Sequence, residues 1–115
     1  MRSRSDDLQA FKAEFFRALA HPVRIRILEA LVRGEQSVQE LQETLDLEQP
    51  VVSQQLAVLR AQNIVAARKE GTSVRYALRD PLVEDLLKVA RRIFNNHLVG
   101  RQGLLRVLQQ ERRRH

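Results

Sequence analysis

Apolar residues return along this chain every three or four positions through most of its length, and change once, after Asn63, to two short runs rich in β-branched and apolar residues. The pattern predicts helices interrupted by one pair of strands. Leu8, Phe11, Phe15, Phe16 and Leu19 mark the apolar side of a first helix over about residues 8–19. His21-Pro22 ends it and opens a second, with Val23, Ile27, Leu28 and Leu31 as buried candidates and Gly34 beyond its end. Ser37 followed by Glu40 has the capping-box pattern and starts a third helix through Val38 and Leu41 to Leu45. Asp46 to Gln49 turn the chain into a fourth helix ending near Gln62, where Val52, Leu56 and Leu59 share one stripe at the i, i+4, i+7 spacing of a buried face. Ile64 to Arg68 and Val74 to Leu78 read as strands, joined by a five-residue loop from Lys69 to Ser73 that contains Gly71. Asp80-Pro81 then opens a long helix through Leu82, Leu86, Val89, Ile93 and Phe94. Gly100 and Gly103 are expected to interrupt it before a last amphipathic piece with Leu104, Leu105, Val107 and Leu108. Residues 1–7 are expected to be a flexible tail, residues 8–110 the folded domain, and residues 111–115 a frayed basic tail.

The outer side of the fourth helix carries the chemistry. Pro50, Ser53, Gln54 and Ala57 lie opposite the apolar stripe, and none is bulky or acidic. Serine and glutamine both donate to and accept from phosphates and base edges, and glutamine pairs bidentately with adenine. Ser53 and Gln54 are therefore expected to read bases, with Gln49 and Gln55 at the margin and Val51 against a thymine methyl. Helix, helix, helix, reading helix, hairpin, long helix is the order of a winged helix-turn-helix, mainly α with a small β-hairpin. In that arrangement Arg68, Lys69, Thr72, Ser73 and Arg75 on the hairpin lie beside the reading helix, placed for phosphate or minor-groove contact. Arg24 and Arg26 are open to pairing with acids inside the domain or with phosphates.

Charge agrees with this placement. The 115 residues suffice for one domain, and 20 lysines and arginines against 14 acids give +6 and a pI near 11.0. A basic domain of this size points to nucleic acid, and less often to an acidic membrane surface. No cysteine is present, which excludes disulfides and thiolate metal sites. Met1 to Asp7 has no apolar run behind its basic residues, so no signal peptide is expected, and no stretch is long enough to span a bilayer. A cytoplasmic protein follows. Enzyme readings find no support: Ser53 has no histidine nearby in sequence, and neither a phosphate-cradling glycine loop nor clustered carboxylates occur. No catalytic residue and no cofactor is expected.

Three motifs in order resemble the ArsR/SmtB-like bacterial transcriptional repressors over about residues 8–98. Leu19-Ala20-His21-Pro22-Val23-Arg24-Ile25-Arg26-Ile27-Leu28 is similar to that family's second-helix opening, Gln49 to Arg60 to its recognition helix, and Arg68 to Tyr76 to its wing. The resemblance implies a homodimer in which the first and last helices pair, bound to double-stranded palindromic DNA and released by an inducer, often a metal. Leu8, Phe11, Phe15, Leu82, Leu86, Val89, Ile93 and Phe94 are the expected interface. The family's metal positions are not kept. Ser37 and Gln39 stand at its Cys-x-Cys pair, and Asp80 is the one ligand left of the C-terminal-helix set, whose other positions hold Leu82, Ile93 and Asn96. No metal site of either usual kind is expected. Gln55 stands where the family often has His, and Glu48 where a Ser commonly caps the recognition helix; Glu48 is expected to point away from DNA or to select against certain bases. His21 reads as a capping or packing residue, His97 as a surface or interface residue, and His115 as part of the tail. The inducer stays open. The rival readings are a winged helix that binds protein, and a metal-responsive regulator with a non-standard site; a protein interface core would be more aromatic and less charged than this face.

Overall fold

The computed structural model describes residues 4–114, and the side chains of all of these but 98, 99 and 114. The elements run α1 (Arg4–Leu19), α2 (Pro22–Val32), β1 (Gln36–Ser37), α3 (Val38–Leu45), α4 (Gln49–Ala61), β2 (Val65–Glu70), β3 (Ser73–Leu78) and α5 (Leu82–Arg114). One unit extends through Glu84, and the remainder of α5, from Asp85 on, forms another.

Capping side chains set the starts of three helices by accepting N–H groups that have no partner within the helix. His21 Nδ1 accepts from the Val23 N–H at 3.1 Å at the head of α2, where Pro22 needs no donor. Ser37 Oγ accepts from the Glu40 N–H at 3.1 Å while the Glu40 carboxylate accepts from the Ser37 N–H at 3.3 Å, which closes the capping box of α3. Asp80 accepts from the Leu82 N–H at 2.9 Å at the start of α5. Ser37→Ala should cost about 0.5–2 kcal/mol, read as a lowered urea midpoint; an unchanged midpoint would mean that α3 is held by packing alone.

The core of the first unit is apolar throughout. Ile27, Leu28, Leu41, Val52, Leu56, Leu59, Ile64 and Val65 are its largest fully buried side chains, and no described polar or charged residue is buried. The predicted α4 stripe of Val52, Leu56 and Leu59 is the face that packs on α2 and α3. Asp46, at φ 54° in the left-handed region that aspartate tolerates, ends α3 and turns the chain into α4. Arg26 donates to the Leu45 carbonyl at 2.7 Å, satisfying the C-terminal end of α3, and Arg24 donates to the Arg17 carbonyl at 3.5 Å. Both arginines thus hold carbonyls at helix ends.

Four features differ from the sequence expectation. The hairpin is part of a three-stranded antiparallel sheet, ordered β1-β3-β2, because Gln36 and Ser37 pair with Tyr76 and Arg75. Its turn is Gly71-Thr72 alone: Glu70 pairs with Ser73, and Gly71 at φ +62° takes the first of the two turn positions, where glycine fits a II′ geometry. The expected break at Gly100 and Gly103 does not occur, since two glycines weaken a helix by only about 1 kcal/mol each and α5 continues through both to Arg114. α1 starts at Arg4, before the first residue of its apolar side. Of the expected tails, residues 1–3 and 115 lie outside the described residues.

Candidate nucleic-acid interface

α4 is fixed from below and presents its polar side outward. Gln49, Pro50, Val51 and Gln54 are exposed, and the Gln54 side chain makes no hydrogen bond among the described residues. Gln49 Nε2 donates to Ser53 Oγ at 2.8 Å, which leaves the Ser53 hydroxyl proton directed elsewhere and makes this side chain a donor toward an incoming acceptor. Gln55 lies half-buried, its Oε1 shielded from water and without a hydrogen-bond partner, so it is the least available of the three glutamines. Glu48 occupies the N-cap of α4, exposed, and its side chain makes no capping hydrogen bond.

On the wing, Lys69, Thr72 and Ser73 are exposed around the Gly71 turn, with Ser73 Oγ donating to the Glu70 carbonyl at 3.3 Å. Arg68 and Arg75 are differently placed. They are direct cross-strand partners, and two like charges opposite one another repel. Three carboxylates relieve them. Arg68 grips Glu35 with one edge of its guanidinium, Nη2 at 2.7 Å and Nε at 3.2 Å, and reaches Glu70 at 3.4 Å. Arg75 donates to Glu40 at 2.7 Å and to the Glu35 carbonyl at 2.9 Å, and lies 3.7 Å from the carboxylates of Glu35 and Glu70.

These contacts change the acids. The hydrogen bonds from Arg68 hold Glu35 below the ordinary glutamate range, against the opposing effect of lost hydration, and the charges of Arg68 and Arg75 add to the lowering. Glu40 is lowered chiefly by the hydrogen bond from Arg75, then by the one from the Ser37 N–H. Arg68 is raised in turn, first by its hydrogen bonds to Glu35. Glu40 therefore serves both the capping box of α3 and the wing. Glu35 and Glu40 also line an open polar cleft of about 350 Å³ with Arg33, Gln36, Glu43 and Thr44.

The residues expected to pair subunits are largely uncovered within the chain. In the first unit Leu8, Phe11 and Leu82 are exposed, Phe11 by 71%, while Phe15 is half-buried and stacks edge-on against the exposed Phe16 at 5.6 Å. In the second unit Val89, Ile93 and Phe94 are exposed and Leu86 less so. Residues eleven apart fall on nearly one line of an α-helix. In the second unit Ile93 and Leu104 do so, as do Phe94 and Leu105, and Leu86, His97 and Leu108. The apolar stripe of α5 thus runs straight on past the glycines. Among the described residues no three of His, Asp and Glu are grouped as ligands of a metal ion, and no helix is long and apolar enough to cross a membrane.

Three helices ending in a solvent-facing α4, flanked by a short β-ribbon, define a winged helix-turn-helix regulator. The sequence profile described as "Bacterial regulatory protein, arsR family" matches residues 21–67, from the cap of α2 into β2. The HTH-type transcriptional regulator Rv0081 of Mycobacterium tuberculosis is 46% identical over 102 residues, which are 88% of this chain and 90% of the relative. Its crystal structure superposes with a TM-score of 0.76 at 47% identity, covering 82% of this chain and 95% of the other. The homodimeric winged helix-turn-helix DNA-binding domain Mb0332 of Mycobacterium bovis is 28% identical with a TM-score of 0.77, over 85% and 91% of the two chains. The biofilm growth-associated repressor of Agrobacterium fabrum is 40% identical over 71% of this chain and 70% of its own. The chain belongs to the ArsR family of bacterial transcriptional regulators.

Proposed function

We propose that this protein is a cytoplasmic, non-enzymatic repressor that binds a palindromic operator as a homodimer. The exposed side of α4 carries the reading: Gln54 is free to meet a base edge while Val52, Leu56 and Leu59 fix its backbone. Ser53 offers a donor beside it, Gln49 and Gln55 sit at the margin, Pro50 opens the helix, and Val51 is exposed for a thymine methyl. Lys69, Thr72 and Ser73 lie along the phosphates from the wing, and Arg68 and Arg75 reach them only by leaving their carboxylates. Two copies joined through Leu8, Phe11, Phe15, Leu82, Leu86, Val89, Ile93 and Phe94 would set two α4 helices into successive major grooves, with half-sites ~10 bp apart. The homodimeric state of the Mycobacterium bovis domain supports that pairing.

Selection of duplexes from a random pool tests the reading. A recovered palindrome, bound more weakly as salt rises, is the expected result. Gln54→Ala should then lose about 1–3 kcal/mol on that operator and relax preference at one base pair in each half-site. If no sequence is enriched, or if Gln54→Ala weakens operator and random DNA alike, the base-reading assignment fails.

A further inference from the structure

The wing of this protein carries its own substitutes for phosphate. A guanidinium gripping a carboxylate through two N–H groups uses the same fork with which it grips a phosphate, and Arg68 holds Glu35 in that way. Three carboxylates, Glu35, Glu40 and Glu70, surround two guanidiniums, so the cluster as a whole is negative where a DNA-binding wing would be expected to be positive. The two arginines are held unequally. Arg75, whose side chain is 24% exposed, is tied in addition to the Glu35 carbonyl and to the carboxylate that completes the α3 cap. Arg68, whose side chain is 55% exposed, is held by side chains alone. Exposed pairs of that kind are individually weak and exchange readily for a stronger partner.

We propose that Glu35 is a specificity residue: it keeps Arg68 out of reach of DNA until α4 has docked a matching sequence, and then yields it to a phosphate. The inference rests on the regulator reading above. Random DNA is held through loosely placed phosphate contacts alone, and against it the cluster offers no surplus positive charge. On a matched operator the base contacts of α4 press the wing onto one backbone segment, where a phosphate can take the guanidinium over from Glu35. Glu35 thereby lowers random binding more than operator binding.

The test compares the full-length protein with Glu35→Gln on the selected operator and on a short random-sequence duplex, across a salt series. Glu35→Gln should raise affinity for the random duplex about 3- to 10-fold and steepen its salt dependence by about one unit of log–log slope, the signature of one added phosphate contact. The operator should gain less, so the ratio between the two falls. Adding Arg68→Ala to Glu35→Gln should abolish the gain on random DNA. Glu43→Gln, which removes an equal charge from the same cleft without touching either arginine, should give a smaller gain and no change of slope. Unchanged random binding in Glu35→Gln overturns the inference, as does a gain that persists without Arg68 or is matched by Glu43→Gln. Wild-type protein that binds no duplex overturns the regulator reading itself, which separates the two failures.

Discussion

Leu56→Ala should destabilise the reading helix along with the domain. Leu56 is 1% exposed at the centre of the α4 stripe, on the face that packs against α2 and α3. Truncation removes three carbons from a site whose neighbours along the stripe, Val52 and Leu59, are themselves fully buried. Such cavities cost about 2–5 kcal/mol, a large share of the ~5–15 kcal/mol by which a domain is stable. Thermal unfolding should come at least ~10 °C earlier, and operator binding should vanish at the same temperature as the helical signal. A loss under ~1 kcal/mol would show that α4 is seated by something other than this stripe.

The second large effect concerns assembly. Ile93 is 60% exposed within the chain and stands in the middle of the α5 stripe. Ile93→Asp should therefore disturb the fold of one chain little, since substitutions at exposed positions usually stay within ~0.5 kcal/mol, yet it should place a charge within the pairing face. At micromolar concentration the wild type should sediment as a dimer and Ile93→Asp as a monomer. A monomer reaches its second half-site only by a second independent encounter, so operator affinity should fall by a factor on the order of 10²–10⁴. A variant that remains dimeric, or a monomer that binds the operator as tightly as the wild type, would contradict both the interface and the palindromic reading.

Three of the helices were legible because each carried two agreeing signals. At α4 the apolar stripe and Pro50 coincide, at α3 the stripe and the Ser37–Glu40 pair, and at α2 the stripe and His21-Pro22. The strands were legible in kind and misread in length. A run from Lys69 to Ser73 looks like loop because it is polar, but both ends of an exposed ribbon are polar when neither face is covered. That misreading concealed the charge cluster. With a five-residue loop Arg68 and Arg75 do not oppose each other, whereas with the two-residue turn they must, and two opposed arginines call for acids close by. β1 gave no signal because two residues are too few to show a period. Glu35 gave none because it stands on a connection, and its partner lies 33 residues away.

α5 is 33 residues long, about 50 Å at the usual helical rise, and beyond Asp85 Val89, Ile93, Phe94, Leu104, Leu105, Val107 and Leu108 along its apolar stripe stand open to water. In water a helix of this kind is sustained mainly by what packs on its apolar face. Pairing of two chains through this stripe, as proposed above, would link its persistence to association by mass action, so that the stability of this unit rises with protein concentration. Operator occupancy then follows roughly the square of monomer supply at low dose. A regulator that pairs in this way responds to its own abundance more steeply than one that binds as a lone chain.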